Sequence, residues 1–155
     1  MAKDASTIII EDAQLIFRNF EGKEGQFNAK GDRNFCVVLD DPETINNLVR
    51  DGWNVRTYGD TEEGDEPIQY LPVRVSYKYK PPHVVMITSK ARTTLTDDSI
   101  EVLDFADLDK VDLVCNAYDW SMPDGKTGRK AYLKTMFATI AEDELERKYA
   151  QTEQD

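Results

Sequence analysis

Two stretches of an otherwise acidic chain carry cations without a single carboxylate. Residues 74–92 hold a local charge of +5 and residues 126–134 one of +4, although all 155 residues together sum to −11. Both stretches interleave their cations with rings. In VRVSYKYK (73–80) a period of two puts Arg74, Ser76, Lys78 and Lys80 on one face and Val73, Val75, Tyr77 and Tyr79 on the other. In RKAYLKTMF (129–137) it puts Lys130, Tyr132 and Lys134 on one face, opposite Ala131, Leu133, Thr135 and Phe137. A basic–aromatic–basic row backed by a core face suits a single-stranded nucleic acid, because cations follow phosphates and flat rings stack on bases.

Further candidates cluster around these rows. Phe17, Arg18 and Phe20 precede a Gly-bearing stretch carrying Lys23, Lys30 and Arg33; Lys90 and Arg92 follow an apolar run; Trp120, Lys126 and Arg129 flank a turn. The ordinary role of each residue taken singly is different. Lysines on a strand's outer face are usually solvated or guard an edge, and strand aromatics usually belong to the core. The joint pattern, two acid-free windows in so acidic a chain, is what favours a ligand.

Enzymatic constellations are not expected. His83 is the sole histidine and follows two prolines; the GKTG of residues 125–128 lacks the spacing and context of a phosphate-binding loop. Asp97-Asp98, Asp104–Asp112 and Glu142–Glu146 are carboxylate runs without a ligand pattern. Cys36 and Cys115 both sit in apolar runs and read as buried small hydrophobes; neither a disulfide nor a zinc site is expected. No cofactor or metal is therefore anticipated. Nor is a membrane span, since no apolar run approaches the roughly 20 residues required. A reducing, intracellular setting follows.

The elements that must position these residues are mainly strands. TIIIEDAQLIFRNF (7–20) reads as a first strand bent around Glu11–Asp12, and Asn34–Leu39 as a second. Asp41-Pro42 opens a short helix with an Ile45, Leu48, Val49 stripe, closed by Gly52. Trp53–Tyr58 is extended, residues 59–67 form an acidic loop, 68–80 a strand broken by Pro81-Pro82, and Val84 begins another. Val111–Trp120, the turn SMPDGKTG and Arg129–Ile140 make the clearest hairpin, and Glu142–Ala150 a short acidic helix with Leu145 and Tyr149 on one side. This pattern predicts one mainly β domain over residues 1–150 and a polar tail over 151–155. The architecture expected is an OB-fold-like five-stranded Greek-key barrel with a helix between early strands and a C-terminal helix. A sandwich fits the strand count nearly as well.

The succession IIIEDAQLIFRNFEG, GDRNFCVVLDDPE, DGWNVR, YLPVRVSYKYKPP and GKTGRKAYLKTMFATI resembles small bacteriophage proteins similar to OB-fold single-stranded-DNA-binding proteins, over roughly residues 7–150. The resemblance implies a barrel whose basic, aromatic groove holds single-stranded DNA during phage replication or recombination in the cytoplasm of an infected bacterium. It points to Phe17, Arg18, Lys78, Tyr79, Lys80, Arg129, Lys130, Tyr132 and Lys134. The acidic C-terminal helix is expected first to dock on the barrel through Leu145 and Tyr149; its alternative role is a tail that contacts phage or host replication proteins and competes with DNA for the basic groove, and a homo-oligomer is compatible with the sequence. The competing reading is an acidic DNA mimic that blocks a host nucleic-acid-binding protein, with residues 97–112 as its decoy surface.

Overall fold

The computed structural model describes residues 6–26, 28–59, 67–78 and 80–142. Its strands are β1 (Thr7–Ile10), β2 (Leu15–Asn19), β3 (Arg33–Leu39), β4 (Arg56–Tyr58), β5 (Ile68–Val75), β6 (His83–Ile87), β7 (Arg92–Leu95), β8 (Leu108–Ser121) and β9 (Thr127–Ile140). Helix α1 spans Pro42–Arg50, and a 3-10 helix spans Ile100–Asp104. The C-terminal helix expected at Glu142–Ala150 and the acidic tail fall almost wholly outside the described residues.

All nine strands belong to one sheet, ordered β1-β8-β9-β5-β3-β2 along its main path. Among the described residues that path does not close, and nine strands replace the five expected. β9 shares its far edge between two parallel partners, β5 through Val73 and Arg74 and β6 through His83–Ile87. β4 lies on the same edge of β5 as β9, nearer the start of the strand.

Residues 7–20 are two strands rather than one bent strand. Asp12 takes a left-handed φ of 53° at the corner, where its N–H donates to Asp112 Oδ1 at 2.8 Å. β1 then pairs with β8 and β2 with β3, so the two halves lie at opposite ends of the path. Helix α1 starts at Pro42 as its sequence predicts, with Ile45 and Leu48 buried, but Val49 is 56% exposed and lies off the buried stripe. The loop from β5 to β6 is the second departure. β5 stops at Val75, so Ser76, Lys78 and Lys80 belong to a connection and do not extend the face of Arg74.

The β8–β9 hairpin is the longest element, with 14 residues in each strand. Its turn is set by Met122-Pro123-Asp124-Gly125. Pro123 fixes the first corner, Gly125 takes φ 92°, and Met122 N–H returns to the Lys126 carbonyl at 2.7 Å. One core runs beneath the sheet and includes Phe20, Phe35, Leu71, Val73, Leu113 and Met136, each 0–2% exposed.

A register shift interrupts the hairpin where Val114 faces Thr135 and Cys115 faces Leu133, leaving Lys134 as the extra residue. The bulge reverses the alternation. Before it Ala131 and Leu133 are buried; after it the buried residues are Met136 and Ala138. Thr135 and Phe137 therefore do not join the core face, as a strict period of two requires, but turn outward.

Candidate nucleic-acid interface

The outer face of the sheet is built from residues that alternate with the core. Arg74 lies between buried Val73 and Val75, and register places it beside Asn34 on β3 and Tyr132 on β9. Tyr132 in turn lies opposite Asn116 of β8, which lies opposite Thr7 of β1. This polar and aromatic row crosses five strands. On the same face of the hairpin, Tyr118 opposes Lys130, and its ring meets Tyr132 edge-on at 5.8 Å.

A second aromatic group occupies the same face nearer the start of β5. Tyr70 opposes Arg56 on β4 and Val38 on β3, and Tyr58 lies two residues beyond Arg56 on the same side. Phe17 completes the group from β2. Its ring packs edge-on against Tyr58 at 5.6 Å and Tyr70 at 5.7 Å, yet Phe17 and Tyr58 remain 53% and 57% exposed. Phe17 has φ 52° within the irregular β2–β3 register between Ile16 and Asn19. A left-handed conformation is costly for a bulky side chain, and such strain collects where a bulge aims a residue at a ligand. Tyr70 and Arg74 are separated by about 13 Å along the strand, with Pro72 and Cys36 between them on the same face, so each ring group has a cation level with it, Arg56 beside Tyr70 and Arg74 beside Tyr132.

The arginines of this face are unoccupied. Among the described residues neither Arg56 nor Arg74 makes a hydrogen bond or ion pair. Cys36, opposite Pro72, shares the face and is only half-buried, unlike Cys115 in the core; both are free thiols. Burial raises Cys36 to about 11 against a smaller opposing pull from Arg56, and burial alone raises Cys115 to about 12, so both stay protonated at neutral pH.

Elsewhere the expected site residues have other surroundings. Phe20 is 0% exposed and stacks on Phe35 at 5.0 Å. Arg18 Nη1 donates to the carbonyls of Leu103 and Ala106 at 2.9 and 2.7 Å. Arg33 donates to the carbonyls of Phe20 at 2.6 Å and Asp97 at 3.0 Å, and its guanidinium lies 5.6 Å from the Tyr77 ring centre. Lys30, Lys90 and Arg92 are exposed in the β2–β3 loop, the β6–β7 turn and at the start of β7. Lys78 and Lys80 are exposed in the β5–β6 loop; Tyr79 between them is outside the described residues. Lys134 is exposed at the bulge.

At the hairpin end a further cluster forms. Arg129 chelates Asp119 at 2.6 and 3.1 Å, and its guanidinium lies 5.5 Å from the centre of the buried Trp53 ring. The hydrogen bond from Arg129 holds the Asp119 carboxyl below its usual value. The Trp120 indole lies flat on Gly128: a Cβ there would stand 2.4 Å from Cζ2, so only glycine admits the ring. Asp119, Trp120 and Arg129 also border a shallow groove with Asp51 and Gly52.

The sequence pattern therefore overlooked Arg56, Tyr58, Tyr70 and Tyr118. The YLPV and DGWNVRTY stretches contain them, but only cross-strand register joins them to Arg74 and Tyr132.

An open sheet face carrying two groups of rings, each with a guanidinium beside it that has no hydrogen-bond or ion-pair partner among the described residues, suits an extended, anionic, ring-bearing polymer. Among the described residues no group of His, Cys, Asp and Glu is arranged to hold a metal ion, and no helix is long and apolar enough to cross a membrane. A family model described as "Putative phage ssDNA-binding domain" matches residues 2–154, and the chain belongs to that family. Among solved structures it is similar to the single-stranded DNA-binding protein from bacteriophage Enc34. The C-terminally truncated form gives a TM-score of 0.58 at 12% identity, over 90% of this chain and 88% of that one. The untruncated form gives 0.57 at 12% identity over 90% and 83%, and the complex with ssDNA gives 0.59 at 12% identity over 90% and 89%. At this identity the likeness is one of fold. No curated protein matches the chain in sequence.

Proposed function

We propose that the chain binds single-stranded DNA across the outer face of β4, β5, β9 and β8, with little dependence on sequence. Phe17, Tyr58 and Tyr70 form one stacking group and Tyr118 and Tyr132 the other, while Arg56, Arg74 and Lys130 neutralise phosphates between and beside them. The observation that carries this reading is the row through Asn34, Arg74, Tyr132 and Asn116, which sets a cation with no hydrogen-bond or ion-pair partner among the described residues against an outward ring. Rings accept any base, so stacking is sequence-tolerant. The same unoccupied cations disfavour DNA mimicry, for which a basic face has no use.

The sheet is read as OB-like, a reading supported by its single mainly antiparallel sheet and by β9 bridging β5 and β6. Family membership supports a role in phage DNA replication or recombination inside an infected bacterial cell. The acidic C-terminal segment suits contacts with phage or host replication proteins.

A fluorescence titration with labelled oligo-dT of about 30 nucleotides, at low and near-physiological salt and with duplex as control, tests the reading. Tight binding weakened by salt and much poorer for duplex is expected. No binding at low salt overturns it.

A further inference from the structure

Toward its turn the β8–β9 hairpin carries a ring that belongs to neither stacking group. Trp120 follows Tyr118 by two residues, so it projects from the same side of the sheet, about 7 Å further on. Its cross-strand partner is Gly128. Because the indole lies flat on that glycine, backbone covers one ring face and fixes the orientation of the other, and the side chain as a whole is half-buried. The same indole borders a groove of about 410 Å³, a volume within the range of small-ligand sites. Asp51 and Gly52 border it too, at the end of α1. An isolated parallel bridge between Trp53 and Arg129 holds that end alongside β9.

The polar groups of the groove favour a ligand that donates hydrogen bonds. Asp119 is already occupied by two nitrogens of Arg129. Asp51 is engaged far less. Its carboxylate meets Arg50 Nε at 3.5 Å, through a side chain that is itself 71% exposed, and such a contact is weak. Nor does Asp51 serve the helix. It is the C-cap of α1, where the last carbonyls already carry partial negative charge and a carboxylate is unfavourable. With Arg50 counted, two carboxylates meet two guanidinium groups, so the groove has no excess of positive charge for a phosphate. What it offers is an acceptor for a neutral base edge.

Among the four bases only guanine presents two neighbouring N–H donors, N1–H and N2–H, which match the two oxygens of one carboxylate. Adenine, cytosine and thymine each set an acceptor beside their donor, so one carboxylate oxygen would face a lone pair. Ser121 and Thr127 also border the groove and bring hydroxyl donors suited to the guanine O6.

We infer that this groove takes one guanine of the bound strand, its ring stacked on Trp120 and its N1–H and N2–H donated to Asp51. The inference rests on the proposed DNA reading, which brings the strand along the outer face to Tyr118. It adds a preference at one position to a face whose other rings accept any base.

The test measures binding of the full chain to oligo-dT, alternating dT/dG and alternating dT/dI, each of about 12 nucleotides, at near-physiological salt. Alternation keeps a purine within one nucleotide of the groove in any register, and inosine differs from guanine only in lacking the 2-amino group. The dT/dG strand should bind about tenfold tighter than the dT/dI strand, the discrimination expected of a bidentate contact. Asp51→Asn should bring that ratio to about one without lowering the unfolding midpoint, because the carboxylate it removes opposes the helix dipole. Equal affinity for the two strands in the unaltered chain overturns the inference, as does a ratio that survives Asp51→Asn. Loss of the ratio together with a lowered midpoint assigns Asp51 to the scaffold and overturns it as well. Failure of the unaltered chain to bind any of the three strands refutes the DNA reading instead. Deoxyguanosine at millimolar concentration then tests the groove alone, through the indole N–H resonance that Trp120→Phe removes. A shift absent with deoxyinosine upholds the guanine site; no shift, or an equal one with deoxyinosine, refutes it.

Discussion

Four arginines that look alike in the sequence divide into two pairs in the fold. Arg18 and Arg33, beside the β2–β3 loop, direct their guanidinium groups at backbone carbonyls of Phe20, Asp97, Leu103 and Ala106. Arg56 and Arg74, on the open face of the sheet, meet no hydrogen-bond or ion-pair partner among the described residues. The first pair staples the 3-10 segment and its flanks to β2 and β3, satisfying carbonyls that a loop leaves without ladder partners. The second pair keeps its donors for something outside the chain. Positive charge thus serves as an internal tie in one place and as a binding surface in the other.

The largest expected effect separates the pairs by stability. Arg33→Ala leaves two carbonyls without their donor and should destabilise the fold by about 1–3 kcal/mol, measured by denaturant unfolding. Arg74→Ala should leave the midpoint nearly unchanged. Equal losses from both substitutions would erase the distinction.

Next come the rings. Tyr132→Ala should lower affinity for single-stranded DNA by about 1–3 kcal/mol at constant salt, whereas Tyr77→Ala, whose ring lies against Arg33 away from this face, should not. Phe17 separates binding from backbone strain. Phe17→Gly and Phe17→Ala should lose binding alike, but the glycine variant should be the more stable by about 1 kcal/mol, because φ 52° no longer opposes a Cβ. An alanine variant as stable as the glycine one would show that the left-handed residue carries no strain.

Smaller still is the salt response. Each of Arg56→Ala and Arg74→Ala should reduce the log–log salt slope by about 0.7, one phosphate contact, while Arg18→Ala leaves the slope of the surviving folded protein intact. An unchanged slope for both would remove β4 and β5 from the DNA path.

The smallest effect is one of pH. The Arg129 hydrogen bond lowers the Asp119 carboxyl in the fold, so this pair stabilises the native state above the unfolded aspartate value. That contribution is lost as pH falls through the lowered folded value. The Asp119 side chain is 62% exposed and the effect correspondingly slight. Carbon-detected titration should find the Asp119 midpoint below 3.8 and returned to the ordinary range by Arg129→Ala.

Much of the scaffold is written locally. Alternation around MPDG produces the β8–β9 hairpin because proline and a left-handed glycine fix its turn, and Asp-Pro starts α1 because proline suits a first helical turn. Val73, Val75, Ala131 and Leu133 are buried as their spacing requires, and Arg74, Lys130 and Tyr132 consequently lie on the opposite face. Local pattern fails where one residue breaks the period. The bulge at Lys134 turns Phe137 outward toward His83, at a ring separation of 6.1 Å, and no spacing in the strand announces it.

What the sequence by itself determined was a β-rich chain with cations and rings alternating against a core face, since side-chain direction in a strand follows from a period of two. Tertiary structure alone decided which of those cations are ties and which are open. Arg18 and Arg33 find carbonyls 64–88 residues away for most of their bonds, and such partners are fixed only when the 3-10 segment folds onto β2. It also decided that Tyr58, Tyr70 and Tyr118 share a face with Tyr132. Membership of a common face depends on register between strands far apart in the chain, and register is set by the packing of the whole sheet rather than by any one strand.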